Sequence, residues 1–118
     1  MAAALSETHP LDPVSSARRA RSSVLPILHA LTGPAPDLRD ALRRAVVVAF
    51  LQTSEAIGCG REERRARIAV AREQAIEARA IVAGVMGRGM VDPALAEEAL
   101  ATLEALTVLL DRIIARSR

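Results

Sequence analysis

Residues 61–87 place Ile68, Ala71, Ala75, Ala78, Val82 and Val85 at alternating steps of three and four. Only a helix gathers such positions onto one face, and the alternation is that of a coiled-coil seam. Because the seam is built largely of Ala, it predicts a helix that crosses its neighbour closely. A second helix of the same kind is predicted from Asp92-Pro93 to the C-terminus, with a seam of Ala96, Ala99, Leu103, Leu106, Leu110 and Ile113. Leu95, Leu100, Leu109 and Ile114 widen its apolar face. Its acids come early (Asp92, Glu97, Glu98) and its arginines late (Arg112, Arg116, Arg118), as the helix dipole favours.

The first half of the chain reads less regularly. Asp12-Pro13 is a good N-cap and first-turn pair, and predicts a helix with Val14, Ala17, Val24, Leu28 and Leu31 as its apolar positions. Pro26 lies within it and removes one backbone hydrogen bond, so the helix either kinks there or restarts at Ser22 or Ser23. Thr32-Gly33-Pro34-Ala35-Pro36 ends it. Asp37 is then read as the cap of a further helix that reaches Ile57 or Gly58, with Leu38, Leu42, Ala45, Ala49 and Ile57 on one side. Gly58-Cys59-Gly60 and Gly87-Arg88-Gly89 are stop signals.

Within that helix, residues 45–51 read AVVVAFL, apolar all round. Val and Phe also favour strands, but no second segment offers itself as a pairing partner, and a lone strand leaves its backbone unsatisfied. Four amphipathic helices with short connections make an all-α chain, an antiparallel up-down four-helix bundle over residues 13–118 behind a flexible N-terminal arm, 1–12. A bundle covers about half of each helix, so the outer half of AVVVAFL needs another cover. A homo-oligomer would provide it through Val47, Val48, Phe50, Leu51, Leu109 and Ile114. The alternative cover is the N-terminal arm.

Composition agrees with this layout. The 118 residues suit one domain, 51% are apolar, and Phe50 is the only aromatic. All sixteen basic residues are Arg, a bias that a GC-rich genome accounts for, although Arg also binds phosphate and carboxylate in bidentate fashion. Net charge is only +2, but residues 37–88 hold ten arginines against seven acids, while 89–118 hold three against five. The middle of the chain is therefore the side expected to meet an anion.

Chemistry is sparse. Cys59 is alone, so neither an intramolecular disulfide nor a Cys-based metal site is expected. His9 and His29 belong to no His/carboxylate cluster at ligand spacing, and Glu73 and Glu77 lack the Glu-x-x-His pairs of a di-metal bundle. No phosphate loop or nucleophile motif occurs. The expectation is a protein without cofactor, metal or catalytic residue, and not an enzyme. No apolar run approaches the ~20 residues of a membrane span, and MAAALSETHP lacks the form of a signal peptide, which points to a cytoplasmic protein.

The layout VLPILHALTGPAP, DLRDALRRAVVVAFLQTSEA, RIAVAREQAIEARAIVAGVMGRGMVDPALAEEA and LLDRIIARSR resembles a known group. It is similar to the four-helix bundle superfamily of bacterial 23S rRNA intervening-sequence proteins, and closer to its relatives, the accessory variability determinant proteins of diversity-generating retroelements. The proline of VLPIL, the proline before the second helix, Glu77 and Arg79 in IEARAIV, and the turn before Asp92 carry the likeness over about residues 22–118. The resemblance implies a homopentameric ring of four-helix protomers that binds nucleic acid and a reverse transcriptase as a non-enzymatic cofactor in mutagenic copying. The intervening-sequence branch, or a protein-interaction scaffold that does not itself bind nucleic acid, is the alternative. The chain departs from the accessory proteins in its modest charge and in reading Arg112-Ile113-Ile114 where they commonly carry an aromatic.

If nucleic acid binds, arginine must hold it, because there is no aromatic surface on which bases could stack. The best cluster is REERRAR, with Arg61, Arg64, Arg65 and Arg67. Arg43 and Arg44 are secondary, as are Arg18, Arg19 and Arg21. The competing reading of the same run is a solvated ion-pair face built around Glu62 and Glu63.

Overall fold

A computed structural model describes residues 12–117. Four helices follow one another: α1 (Pro13–Leu31), α2 (Pro36–Ala56), α3 (Arg61–Gly87) and α4 (Pro93–Arg116). Each packs on its sequence neighbours, and α1 closes the bundle against α4. The polar ties between helices show that neighbours run antiparallel. Arg72 of α3 pairs with Asp111 of α4, and Arg79, two turns later, pairs with Glu104 at 2.7 Å, two turns earlier. Ser23 of α1 meets Thr102 of α4, hydroxyl to hydroxyl at 2.6 Å.

The expected seam of α3 is its buried set, residue for residue, and that of α4 is buried from Ala96 to Leu110, with Ile113 half-buried. Their side chains join Val24, Ile27, Leu31, Leu42 and Val46 in one core of aliphatic residues and Ala. Ala71, Ala75 and Ala78 are wholly buried, which is where the small side chains let α3 approach its neighbours.

Three local readings need revision. Asp37 does not cap α2; Ala35 occupies that position with Pro36 in the first turn, and Asp37 lies within that turn, where the dipole favours an acid. Ile57, expected on the core side of α2, is 59% exposed just beyond the last helical residue, and Thr53 and Ala56 take its place inside. Helix α1 is continuous through Pro26, so it does not restart at Ser22 or Ser23. The proline is exposed, and so is Ser22, whose carbonyl loses its partner and can be met by water. Asp12 and Asp92 do act as caps: Asp12 accepts from the N–H groups of Val14 and Ser15, and Asp92 from that of Ala94. The arm read at 1–12, apart from Asp12, lies outside the described residues, as do His9 and Arg118.

The two ends of the bundle are built differently. At one end the α1–α2 and α3–α4 turns fold inward over Leu31, Val85 and Val91. There α3 closes in a Schellman turn, with Gly89 at φ +68°, its N–H donating to Met86 O and that of Met90 to Val85 O. Met90 comes back onto the core. At the other end lie the start of α1, the α2–α3 turn and the last turn of α4.

Candidate nucleic-acid interface

The REERRAR arginines stand at this second end, on the first turns of α3. Arg61, Arg64 and Arg65 are exposed and border two adjoining clefts, and Arg116 of α4 lines the one that holds Arg61 and Arg64. Arg64 donates from Nη2 to the Cys59 carbonyl at 3.2 Å. In the sequence Arg116 was read only as a cation at the helix end, not as a binding residue. The antiparallel order of α3 and α4 brings it there, because the last turn of one helix lies beside the first turn of the other.

Arg67 does not belong with them. Its Nη1 donates to Glu55 Oε1 (2.7 Å) and Gln52 Oε1 (3.2 Å), while Nε and Nη2 both reach Glu63 Oε2 (3.2 and 3.0 Å). Four of its five donors are thus engaged, tying α3 to α2. The hydrogen bond from Arg67 holds the Glu63 carboxyl below its ordinary range, and the same bond holds the guanidinium more firmly charged. The run therefore divides: Arg67 and Glu63 form an ion-pair face, whereas Arg61, Arg64 and Arg65 front the clefts.

Arg43 and Arg44 are exposed at mid-length of α2, about 18 Å along the axis from its end, so they form no continuous patch with REERRAR. Arg18 and Arg19 are exposed on α1, and the guanidinium of Arg21 lies 5.0 Å above the Phe50 ring. The single aromatic is thereby covered by a cation.

The residues read as an oligomer interface separate in the same way. Leu51 is 47% exposed and Val47 half-buried on the outer side of α2. Val48 is half-buried one turn before Gln52, on the side of α3, and Phe50 is half-buried against the core below Arg21. Ile114, also half-buried, lines the cleft beside Arg61 and Arg65. Leu109 is a correction: at 6% exposure it is already covered within the protomer. Leu109 is buried on α4 as is Ser16 on α1, the helix that packs against it. Leu25 of α1, at 55%, is among the exposed apolar residues outside this set.

Beneath the arginines lies an apolar cavity of about 280 Å³. Thr53, Ala56 and Ile57 line it from α2 and its end, Ile68 from α3, Ile113 from α4 and Pro13 from α1, with Arg64 at the rim. Among the described residues no three His, Cys, Asp or Glu side chains are grouped to hold a metal ion, and no helix is long and apolar enough to cross a membrane. No family model, curated protein or solved structure matches the chain.

Proposed function

We propose that the chain is a non-enzymatic, ring-forming accessory protein that binds nucleic acid through the arginine end of its bundle and serves a reverse transcriptase as partner. The observation that carries this reading is the gathering of Arg61, Arg64, Arg65 and Arg116 around clefts whose one acidic lining residue is Glu62. Phosphate is the anion that such forks engage in bidentate fashion. With the one aromatic covered by Arg21, binding is to the backbone and tolerant of sequence.

The distribution of charge supports self-association. Helices α1 and α2 carry six arginines against three acids; α3 from Arg72 onward and α4 as far as Arg112 carry three arginines against six acids. The first half also exposes Leu25 and Leu51, and the second exposes Ile76 and Val108. Two opposite faces of complementary charge, each with apolar side chains, suit a head-to-tail contact, the kind that closes into rings. Several copies would then present their arginine ends around one axis, where the potentials add. The resemblance to the accessory variability determinant proteins supports the pentamer, the partner and the cytoplasmic setting.

The test combines light scattering after size-exclusion chromatography with titration of a single-stranded RNA at several salt concentrations. A mass near five protomers is expected, with affinity that falls steeply with salt and is lost when Arg61, Arg64 and Arg65 are replaced together by Gln. A monomer, or RNA affinity unchanged in that triple variant, would overturn the reading. The exposed leucines also favour a scaffold that recognises only protein. In that case Leu51→Asp disrupts assembly while the arginine variants stay silent.

A further inference from the structure

We propose that α1 is a two-part strap. Residues 13–22 leave the bundle as a unit while the rest of the helix stays docked, with Pro26 at the hinge and Ser23 as the start of the shortened helix. The two parts are held unequally. The second buries Val24, Ile27 and Leu31, each at 0% exposure. The first buries only Ser16, Ala17 and Ala20, and its larger apolar side chains, Pro13 and Val14, are half-buried. Burial stabilises in proportion to apolar area, so the docking of the first part is the weaker. Its charge adds nothing to the hold. Residues 13–22 carry Arg18, Arg19 and Arg21 and no acid, and none of the three enters an ion pair among the described residues. The ties that remain are the Asp12 cap and the Arg21 guanidinium above Phe50, both of modest strength at a surface.

The backbone is weakest where the two parts join. Pro26 has no N–H, so the Ser22 carbonyl lacks its helical partner in the full-length helix. A helix that begins at Ser23 escapes this loss. Pro26 then stands third in the first turn, where no N–H is called for. Ser23 is also a residue type that caps. Its hydroxyl now donates to the Ala20 carbonyl at 2.9 Å and meets Thr102 at 2.6 Å; in the shortened helix it is free to accept from the Leu25 N–H. A strain relieved and a cap gained offset part of the helical bonding lost from residues 13–22. Opening bares the sides of α2 and α4 that α1 covers there, and releases the basic run PVSSARRARS.

The strap rests on α1 alone, not on nucleic-acid binding or assembly, and native-state hydrogen exchange of the full chain tests it. In the shortened helix the first amide with a helical partner is that of Ile27, bonded to the Ser23 carbonyl. The amides of residues 17–25 should therefore exchange through one shared opening, at least ~10-fold faster than those of 27–31, with a step at Pro26. Trypsin should cut after Arg18, Arg19 and Arg21 at least ~10-fold faster than after Arg43 and Arg44, which are also exposed but lie mid-way along α2. Pro26→Ala, at an exposed position, gives the Ser22 carbonyl its partner again. It should slow both the exchange of 17–25 and the cleavage by ~10-fold or more. Exchange of 17–25 no faster than that of 27–31, protection that climbs smoothly from residue 17 with no step, or rates unmoved by Pro26→Ala would each overturn the proposal.

Discussion

The two ends of this bundle use the same aliphatic alphabet and arrive at opposite surfaces. At the end closed by the α1–α2 and α3–α4 turns, Leu31 is fully buried, Val91 is 8% exposed, and Met90 is turned back onto the core by the Schellman geometry at Gly89. At the end where the chain enters α1 and leaves α4, Ile57 stands in solvent, Ile113 is half-buried, and arginines surround the gap between them. One end has two turns that return over the core. Among the described residues the other has one turn, Ile57-Gly58-Cys59-Gly60, whose glycines and cysteine cover little. Among the described residues, connectivity more than hydrophobicity makes one end a plug and the other a cleft.

Substitutions at matched positions test that contrast. Leu31→Ala removes a fully buried side chain from the closed end and should cost about 2–5 kcal/mol, read as a loss of denaturant midpoint in urea unfolding. Gly89→Ala forces an L-residue to hold φ +68° and should cost about 1–2 kcal/mol, with no clash to add because open space surrounds the position. A thermal scan should show each kcal/mol as ~4–8 °C. If Gly89→Ala were neutral, the Schellman turn would not be what draws Met90 inward.

Asp12→Ala, at the open end, should cost about 1 kcal/mol through loss of the α1 cap. The hydrogen bond from Ser15, with further bonds from the backbone N–H groups, lowers the folded pKa of Asp12. A carboxylate lowered in the folded state stabilises above its unfolded pKa, and that stability drains away as pH falls through the folded value. The difference between wild type and Asp12→Ala should therefore be full at neutral pH and shrink under acid, as measured by paired urea melts. The smallest effect belongs to Ile57→Ala, within about 0.5 kcal/mol because the side chain is largely solvated. A cost there comparable to that of Leu31→Ala would mean that the open end is covered in solution, and the contrast would fail.

Much of this was legible in the chain. The seam of α3 could be read residue by residue because long, strict periodicity leaves little choice of buried face, and the Asp-Pro caps at 12–13 and 92–93 carry their own chemistry. Periodicity was a poorer guide where α2 is apolar all round: it did not separate Leu51, which is exposed, from Phe50, which lies half-buried against the core. The REERRAR run was visible, but its division was not. Arg67 meets Glu55 and Gln52 only because α2 and α3 lie antiparallel, and a cation's partners across a bundle have no fixed sequence separation.

What the sequence determined by itself was therefore local: four helices, most of their limits, and the core face of each amphipathic one, since a periodic pattern and a cap act within a few turns of chain. What only the tertiary structure decided was relative placement. It covered Leu109 within the protomer, brought Arg116 beside Arg61 and Arg64, and left an apolar depression under the arginines. Those outcomes depend on the register between antiparallel helices, which many distant side chains set together and no single segment encodes.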